Sequence, residues 1–451
     1  MKLDAVVVGG GPGGYVSAIR LSQLGLRAAL VEKEELGGEC TNYGCIPSKH
    51  LITLAKKLWA VRELSGKKLV EASYSVDMAA VVQETRSVVS RLRQGIGFLL
   101  KSYGVSVYKG VAEVPEPGLV KVSTSEGEKL LETRNVVVAA GTEPASLSSI
   151  PFDGRRIIDY KRALFLGEVP RRLLVVGGGA VGLELGTVYA HLGSEVVVAE
   201  FTDQLLPGFD ADAARALRRS LERMGVRVLL KTTVDSYRYV DRGVEVSLTN
   251  GEAETYDYVL VAVGKKPTEW ARRLKEVGVE HDGKGYVKTD DRMRTSVEGI
   301  YAVGDVAGPP FLAHKAQRQG IVAAESIAGL DTCFDNVIPF GVFTTPEVAS
   351  VGLTDQGLRS ARFPYSALGR AVADGEDGFV KLFEDGEGCL AGAVVVGPHA
   401  TDVVSAITPY VAMHAKVEQA AEAVQIHPTY SEAVGEALHI LLRKPVHYVV
   451  K

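Results

Sequence analysis

Cysteine is scarce in this chain: four in 451 residues, alongside two tryptophans, four asparagines and nine glutamines. That count excludes a disulfide-framework fold, which needs far denser cysteine. No apolar run approaches the ~20 residues that cross a bilayer as a helix, so no membrane role is expected. Neither sign of charge is in large excess. Lys and Arg total 51 against 55 Asp and Glu, a net charge of −4, without the basic footprint of a nucleic-acid or anionic-membrane binder. The N-terminus, MKLDAVVVGG, enters an apolar strand at once and lacks a basic n-region, a long apolar core and a cleavage site. A cytoplasmic location is therefore expected. The low count of thermolabile amides points to a heat-adapted host.

What is present is a repeat. Residues 5–14, AVVVGGGPGG, and residues 173–182, LLVVGGGAVG, each run an apolar strand into a glycine-rich turn. Gly9, Gly11 and Gly14 map onto Gly177, Gly179 and Gly182 at an offset of 168, which also carries Gly25 onto Gly193 and Glu32 onto Glu200. A helical segment and a second apolar strand follow each turn. The first glycine permits a tight turn, the second lets backbone approach a pyrophosphate, and the third lets helix and strand pack closely. The helix N-terminus then offers N–H groups to phosphate, and the terminal Glu accepts from a ribose diol. One such motif alone is weak; two in full strand–helix–strand context predict two dinucleotide sites. At the second, a Glu200 carboxylate repels a 2′-phosphate and FTDQLLP beyond it offers no arginine, so NAD is expected rather than NADP.

The strands VVVAAGTEP (136–144) and VLVAVGKKP (259–267), ending at Gly141 and Gly264, read as crossing points between two nucleotide domains. Alternating stretches from about 105 to 135 and from 227 to 260 read as β-rich insertions. In GIYAVGDVAG (299–308), Gly304-Asp305 is either a plain turn or a carboxylate set beside a sugar or ribityl hydroxyl. From about residue 337 the pattern changes to short strands and then helices, a separate C-terminal domain.

Two of the four cysteines, Cys40 and Cys45, share the stretch GGECTNYGCIPSK. A metal half-site, a structural staple and a redox pair all begin this way. A reducing compartment disfavours the staple, and zinc wants four ligands whereas Cys333 and Cys389 stand isolated; no metal site is expected. A thiol pair beside two dinucleotides makes a relay, and one dinucleotide is then a flavin, since NAD alone cannot pass electrons smoothly to a disulfide. FAD is assigned to the first site because the cysteine segment follows Glu32. Cys45 precedes an amphipathic helix with Pro47 in its first turn, so the helix dipole and Lys49 should lower its pKa. Cys40 is expected in a flexible, glycine-bearing loop, giving the asymmetry that thiol exchange needs. In HPTYSE, His427 is either a turn residue or a base, with Glu432 folding back to orient it. His314 and His50 are weaker candidates.

The set GGGPGG…Glu32, GGECTNYGCIPSK, GGGAVGLELG…Glu200, GIYAVGDVAG, LAHKA and HPTYSE resembles the class I flavoprotein pyridine nucleotide-disulfide oxidoreductases, and among them the dihydrolipoamide dehydrogenases, over essentially the whole chain. The resemblance implies an α/β fold with two Rossmann-like dinucleotide-binding domains, for FAD and NAD, and a C-terminal α+β dimerisation domain. The expected boundaries are 1–145 for the first part of the FAD domain, 146–264 for the NAD domain, 265–335 for the return to the FAD domain and 336–451 for the dimerisation domain. It implies Cys40 as the interchange thiol and Cys45 as the thiol against the flavin. Lys49 would lie near the flavin and pair with Glu184, Asp305 would bind FAD, and Ala313 and His314 would lie along its ring. His427 and Glu432 would reach into the partner subunit's site, making a homodimer obligatory. The implied reaction is oxidation of dihydrolipoamide with reduction of NAD⁺, serving lipoyl domains of 2-oxoacid dehydrogenase complexes or the glycine-cleavage carrier. The competing readings are a related reductase acting on another disulfide or a metal, and a non-catalytic flavoprotein. The chain departs from the family pattern at Glu39, where Thr is common, at Ala140, and at Arg318, where acidic residues are common. Glu39 and Arg318 are expected to alter the substrate mouth.

Overall fold

The computed structural model describes residues 2–354 and 357–449. The chain opens with strand β1 (Leu3–Val8), helix α1 (Pro12–Gln23), strand β2 (Ala28–Glu32) and helices α2 (Gly38–Tyr43), α3 (Cys45–Gly66) and α4 (Met78–Ser102). Strands β3 (Ser106–Lys109), β4 (Val111–Glu116), β5 (Leu119–Thr124), β6 (Gly127–Val138) and β7 (Thr142–Pro144) follow. β1 lies in parallel between β2 and the C-terminal half of β6, with β3 on the outer edge of β2. The N-terminal half of β6 turns away to pair antiparallel with β5, which pairs with β4. Val6, Val7, Leu30 and Val137 have no exposed surface; a strand covered on both faces reads as an unbroken Val/Leu run without alternation. Each such side chain contributes about 1.5–3 kcal/mol by leaving water. The start of α4 is fixed by Asp77, whose carboxylate accepts from the Ala79 and Ala80 amides at 3.0 and 3.1 Å, worth about 1 kcal/mol as a cap.

The second module repeats the plan. Strand β8 (Ile157–Ile158) and helix α5 (Tyr160–Ala163) precede β9 (Arg172–Val176), α6 (Ala180–Leu192), β10 (Glu195–Glu200), α7 (Ala211–Arg223) and β11 (Arg227–Leu230). After β12 (Val234–Val240), β13 (Gly243–Leu248) and β14 (Ala253–Tyr256) come β15 (Tyr258–Val261) and β16 (Lys265–Pro267). The parallel sheet has the order β11-β10-β9-β15-β8, and β12-β13-β14 form a separate antiparallel ribbon. β16 pairs antiparallel with β7, a two-stranded ribbon where the chain crosses between modules.

Helix α8 (Glu269–Arg272) leads back to the first sheet, where β17 (Ile300–Ala302) pairs in parallel with β6. Helix α9 (Ala313–Ile327) then packs on α1, with Ser17 Oγ donating to Gly320 O at 3.1 Å. A Cβ at Gly320 would stand 2.5 Å from Gly13 O, so the two backbones approach only because that residue is glycine.

The third module has strands β18 (Phe340–Val342), β19 (Glu347–Gly352) and β20 (Arg359–Pro364), helix α10 (Gly369–Asp374), and strands β21 (Phe379–Glu384) and β22 (Leu390–Gly397). Helices α11 (Ala400–Ala412), α12 (Val417–Ala421) and α13 (Glu432–Leu441) complete it. Its antiparallel sheet, β18-β19-β22-β21-β20, is covered by these helices over a core that includes Phe363, Val395, Ala433 and Leu438. Lys381 bridges to Asp210 and Asp212 of the second module at 2.8 and 3.0 Å. Among the described residues no helix is long and apolar enough to cross a membrane.

Candidate active site

Both glycine turns sit beyond the carboxyl ends of central parallel strands, the crevice where open α/β sheets bind ligands. Gly9 and Gly177 take φ of +106° and +109°. A Cβ on Gly14 would lie 1.8 Å from Gly9 O, and one on Gly182 would lie 2.3 Å from Gly177 O. Helices α1 and α6 start from Gly11 and Gly179 with no side-chain cap, which leaves their first N–H groups for an anion. Glu32 accepts from the Gly10 and Glu34 amides, both at 2.6 Å. Glu200 accepts from the Gly178 and Thr202 amides at 2.6 and 2.7 Å. The same carboxylate thus closes the same turn twice. A Cβ on Gly179, Gly141 or Gly264 would meet nothing within 4 Å, so open space faces the backbone where a dinucleotide would run. The residues present fit FAD at the first turn and NAD at the second.

Cys40 and Cys45 are neighbouring free thiols. The expectation of a flexible loop at Cys40 is corrected: it lies inside α2, a six-residue helix bounded by Gly37 and Gly44. Cys45 is the first residue of α3, and its helix start, Gly44, carries no side-chain cap. The hydrogen bond between the thiols pushes Cys40 up and Cys45 down. Burial raises both, and the Lys49 ammonium pulls Cys45 further down. The two thiols are therefore unequal, Cys45 being the more readily ionised. Among the described residues no group of three or more His, Cys, Asp or Glu side chains is placed to hold a metal ion.

One turn into α3, Lys49 Nζ meets Glu184 Oε2 at 2.8 Å, and Glu184 Oε1 accepts from the Phe343 amide at 3.0 Å. The same ammonium lies 4.2 Å from the centre of the Phe343 ring, within cation–π range. Three modules meet at this ion pair. Phe343 gave no sequence signal, because its backbone N–H and ring face do the work and neither has a spacing.

Asp305 sits in the short 3-10 turn Gly304–Ala307. Both side-chain hydrogen bonds that its carboxylate accepts among the described residues fall on Oδ2, from Lys265 Nζ at 3.1 Å and Thr142 Oγ1 at 3.2 Å. Oδ1 is left for a ribityl hydroxyl, which fits the flavin. Ala313 is the first residue of α9, and His314 hydrogen-bonds to Pro339 O at 2.8 Å. His50 faces Glu84 at 3.9 Å. Glu39, expected at the substrate mouth, pairs its carboxylate with the Lys265 ammonium. Arg318 donates to Asn336 Oδ1 at 2.8 Å. Lys265 and Thr142 went unnoticed in the sequence, although each directly follows a glycine, Gly264 or Gly141, already singled out.

His427 Nδ1 pairs with Glu432 Oε1 at 2.8 Å, and Glu432 Oε2 accepts from the Thr429 amide at 2.8 Å. That geometry fixes Nδ1–H as donor and leaves Nε2 as acceptor. The His427 side chain is 77 % exposed. Among the described residues, nothing within one chain brings it to Cys40 or Cys45.

Residues 3–320 match the family model of pyridine nucleotide-disulphide oxidoreductases, and residues 338–438 match that family's dimerisation domain. The chain is 40% identical to dihydrolipoyl dehydrogenase 2 of Haloarcula marismortui, covering 98% of each sequence. It is 38% identical to the dihydrolipoyl dehydrogenase of Geobacillus stearothermophilus, over 100% of this chain and 98% of the relative. Among solved structures, LpdA of Mycobacterium tuberculosis superposes with a TM-score of 0.89 at 28% identity, over 97% of this chain and 100% of that one.

Proposed function

The chain belongs to the pyridine nucleotide-disulphide oxidoreductase family, and from that premise we propose that it oxidises dihydrolipoamide to lipoamide while reducing NAD⁺ to NADH, releasing one proton. The observation that supports this most is the Lys49–Glu184 contact at 2.8 Å. It joins the helix that begins at Cys45 to the helix that follows the second nucleotide turn, so the thiols and that turn share one junction.

In this reading the partner's His427 takes a proton from the dithiol at Nε2, with Glu432 holding Nδ1–H and stabilising the cation that forms. The substrate thiolate attacks Cys40 of the oxidised pair, and the Cys40–Cys45 bond breaks. Cys45 leaves as thiolate, favoured by Lys49 and the uncapped start of α3. The second substrate thiol displaces Cys40 from the mixed disulfide, giving lipoamide and a reduced pair. FAD, when bound along Gly9–Gly14, Gly141 and Asp305, supplies the chemistry that carries the electron pair from thiols to NAD⁺ as hydride. Gly177, Gly179, Gly182 and Gly264 would seat NAD, Glu200 would hold its ribose, and Glu184 would keep Lys49 in place beneath the flavin.

In this reading the enzyme works as a homodimer, supported by the match of residues 338–438 to the family's dimerisation domain and by the exposed His427, whose hydrogen bond among the described residues goes to Glu432. Its partners in this proposal are lipoyl domains of 2-oxoacid dehydrogenase complexes or the glycine-cleavage carrier, in a reducing cytoplasm. Initial rates with dihydrolipoamide, glutathione and other thiols, each with NAD⁺ and NADP⁺, test the reading. Highest kcat/KM with dihydrolipoamide and NAD⁺ supports it; preference for another thiol or for NADP⁺ overturns it.

A further inference from the structure

Glu39 is not explained by the reaction. It lies beside Cys40 in α2, and that helix is bounded by backbone hinges: Gly37 and Gly38 take φ of +92° and +56° on one side, and Gly44 closes the other. The remaining polar side chain of α2 with hydrogen bonds, Asn42, donates only to Leu36 O and Gly38 O at 3.0 and 2.9 Å and more weakly to Glu35 O, all within the same segment. Among the described residues Glu39 therefore makes the one long-range ion pair of this helix, to Lys265. Lys265 is rigidly set. It begins β16, paired with Pro144 of β7, and its carbonyl accepts from Tyr286 Oη at 3.0 Å. Its ammonium lies 5.9 Å from the ring centres of both Tyr160 and Phe311, and its side chain is 15 % exposed. Burial works against that charge, but Asp305 and Glu39 together outweigh it and hold it protonated. The same nitrogen bonds Asp305 Oδ2 at 3.1 Å.

We infer that the Glu39–Lys265 ion pair is a latch that fixes the Cys40 helix against the Asp305 turn, making Glu39 and Lys265 positioning residues for the interchange thiol. This rests on the proposed reaction only for its purpose; the latch itself is a statement about α2. A short helix between glycine hinges has little apolar area to hold it, so one partly buried ion pair decides how often it opens. Cys40 has to hold its sulfur about 3–3.5 Å from the atom it reacts with, and a displacement of about 1 Å costs on the order of a hundredfold in rate.

The test is the alkylation rate of Cys40 by iodoacetamide in the dithiol-reduced protein, followed by peptide mass mapping with Cys333 as the internal standard. Glu39→Gln and Lys265→Met change the local charge in opposite directions. A purely electrostatic effect on the thiol would therefore move the two rates oppositely, while release of a latch raises both. Each variant is expected to react about three- to tenfold faster than the wild type, the size of losing one partly buried ion pair from a local opening. Lys265→Arg should restore the slow rate. Glu39→Gln leaves the Lys265–Asp305 contact in place, so it reports even where Lys265→Met does not fold, and Glu39→Asp then supplies a charge-preserving, shortened control that should also react faster. Opposite shifts, or unchanged rates, overturn the latch. A wild type that takes up no FAD sinks the proposed function instead, and the alkylation comparison still judges the latch.

Discussion

Lys49 Nζ stands 2.8 Å from Glu184 Oε2, an ion pair between two helices whose residues are 135 positions apart. Glu184 keeps a second bond to the Phe343 amide, so the carboxylate stays aimed at the lysine. The Cys45 thiol is held down by its hydrogen bond from Cys40 and by this ammonium, against burial. Replacing Lys49 by Met removes the cation and raises the Cys45 pKa. The thiolate is then lost on acidification at a higher pH than in the wild type. The pH at which reduced enzyme gains its long-wavelength absorbance should move up by about one unit; an unmoved titration counts against the role of Lys49.

Subunit sharing of the site is tested by mixing two inactive variants. His427→Gln should lose about 10²- to 10⁴-fold in kcat, and Cys40→Ser should be inactive with dithiol. In a refolded equimolar mixture half the dimers carry one intact site, so about a quarter of wild-type activity returns. No recovery would mean that His427 serves its own chain's cysteines.

The two glycine turns should fail separately. A Cβ at Gly182 would meet Gly177 O at 2.3 Å, so Gly182→Ala should raise KM for NAD⁺ more than about tenfold while the purified protein stays yellow. Gly14→Ala, with its contact of 1.8 Å to Gly9 O, should yield protein depleted of flavin. Loss of colour in the first variant, or its retention in the second, would reverse the assignment of the two sites.

Acid should loosen the second module through His191. Its ring stacks on Trp59 with centroids 4.8 Å apart, and it is buried at 1 % exposure. Burial first, then Lys56 and Arg62, push its pKa down to about 4. The unfolded chain takes up a proton near pH ~6.5 while the folded protein does not, so stability falls as pH drops from about 6.5 towards 4, by roughly 3 kcal/mol at the limit. Thermal unfolding of His191→Phe, which keeps an aromatic face for Trp59, should show a shallower decline over that window. Parallel curves would contradict the assignment.

The repeated nucleotide module was legible because its signals are backbone contacts: Gly14 against Gly9 O and Gly182 against Gly177 O leave room for no other residue. Likewise, His427 and Glu432 stand close in sequence, and a turn at Pro428 suffices to join them. Other features had no local signal. α2 has six residues among glycines and no apolar period, so it reads as a loop. Lys265 finds Glu39 across 226 positions, a pairing that only the crossing ribbon β7–β16 creates. Phe343 acts through its amide and ring face, which sequence spacing does not record.

The central claim is that Cys45 is the thiolate held against the flavin while Cys40 faces the substrate, and anaerobic titration with dithiol in an absorbance spectrophotometer tests it most directly. A broad band beyond the main flavin absorption should grow during reduction of the wild type, persist in Cys40→Ser and be absent from Cys45→Ser. A band that survives in Cys45→Ser, or none in the wild type, would contradict the account.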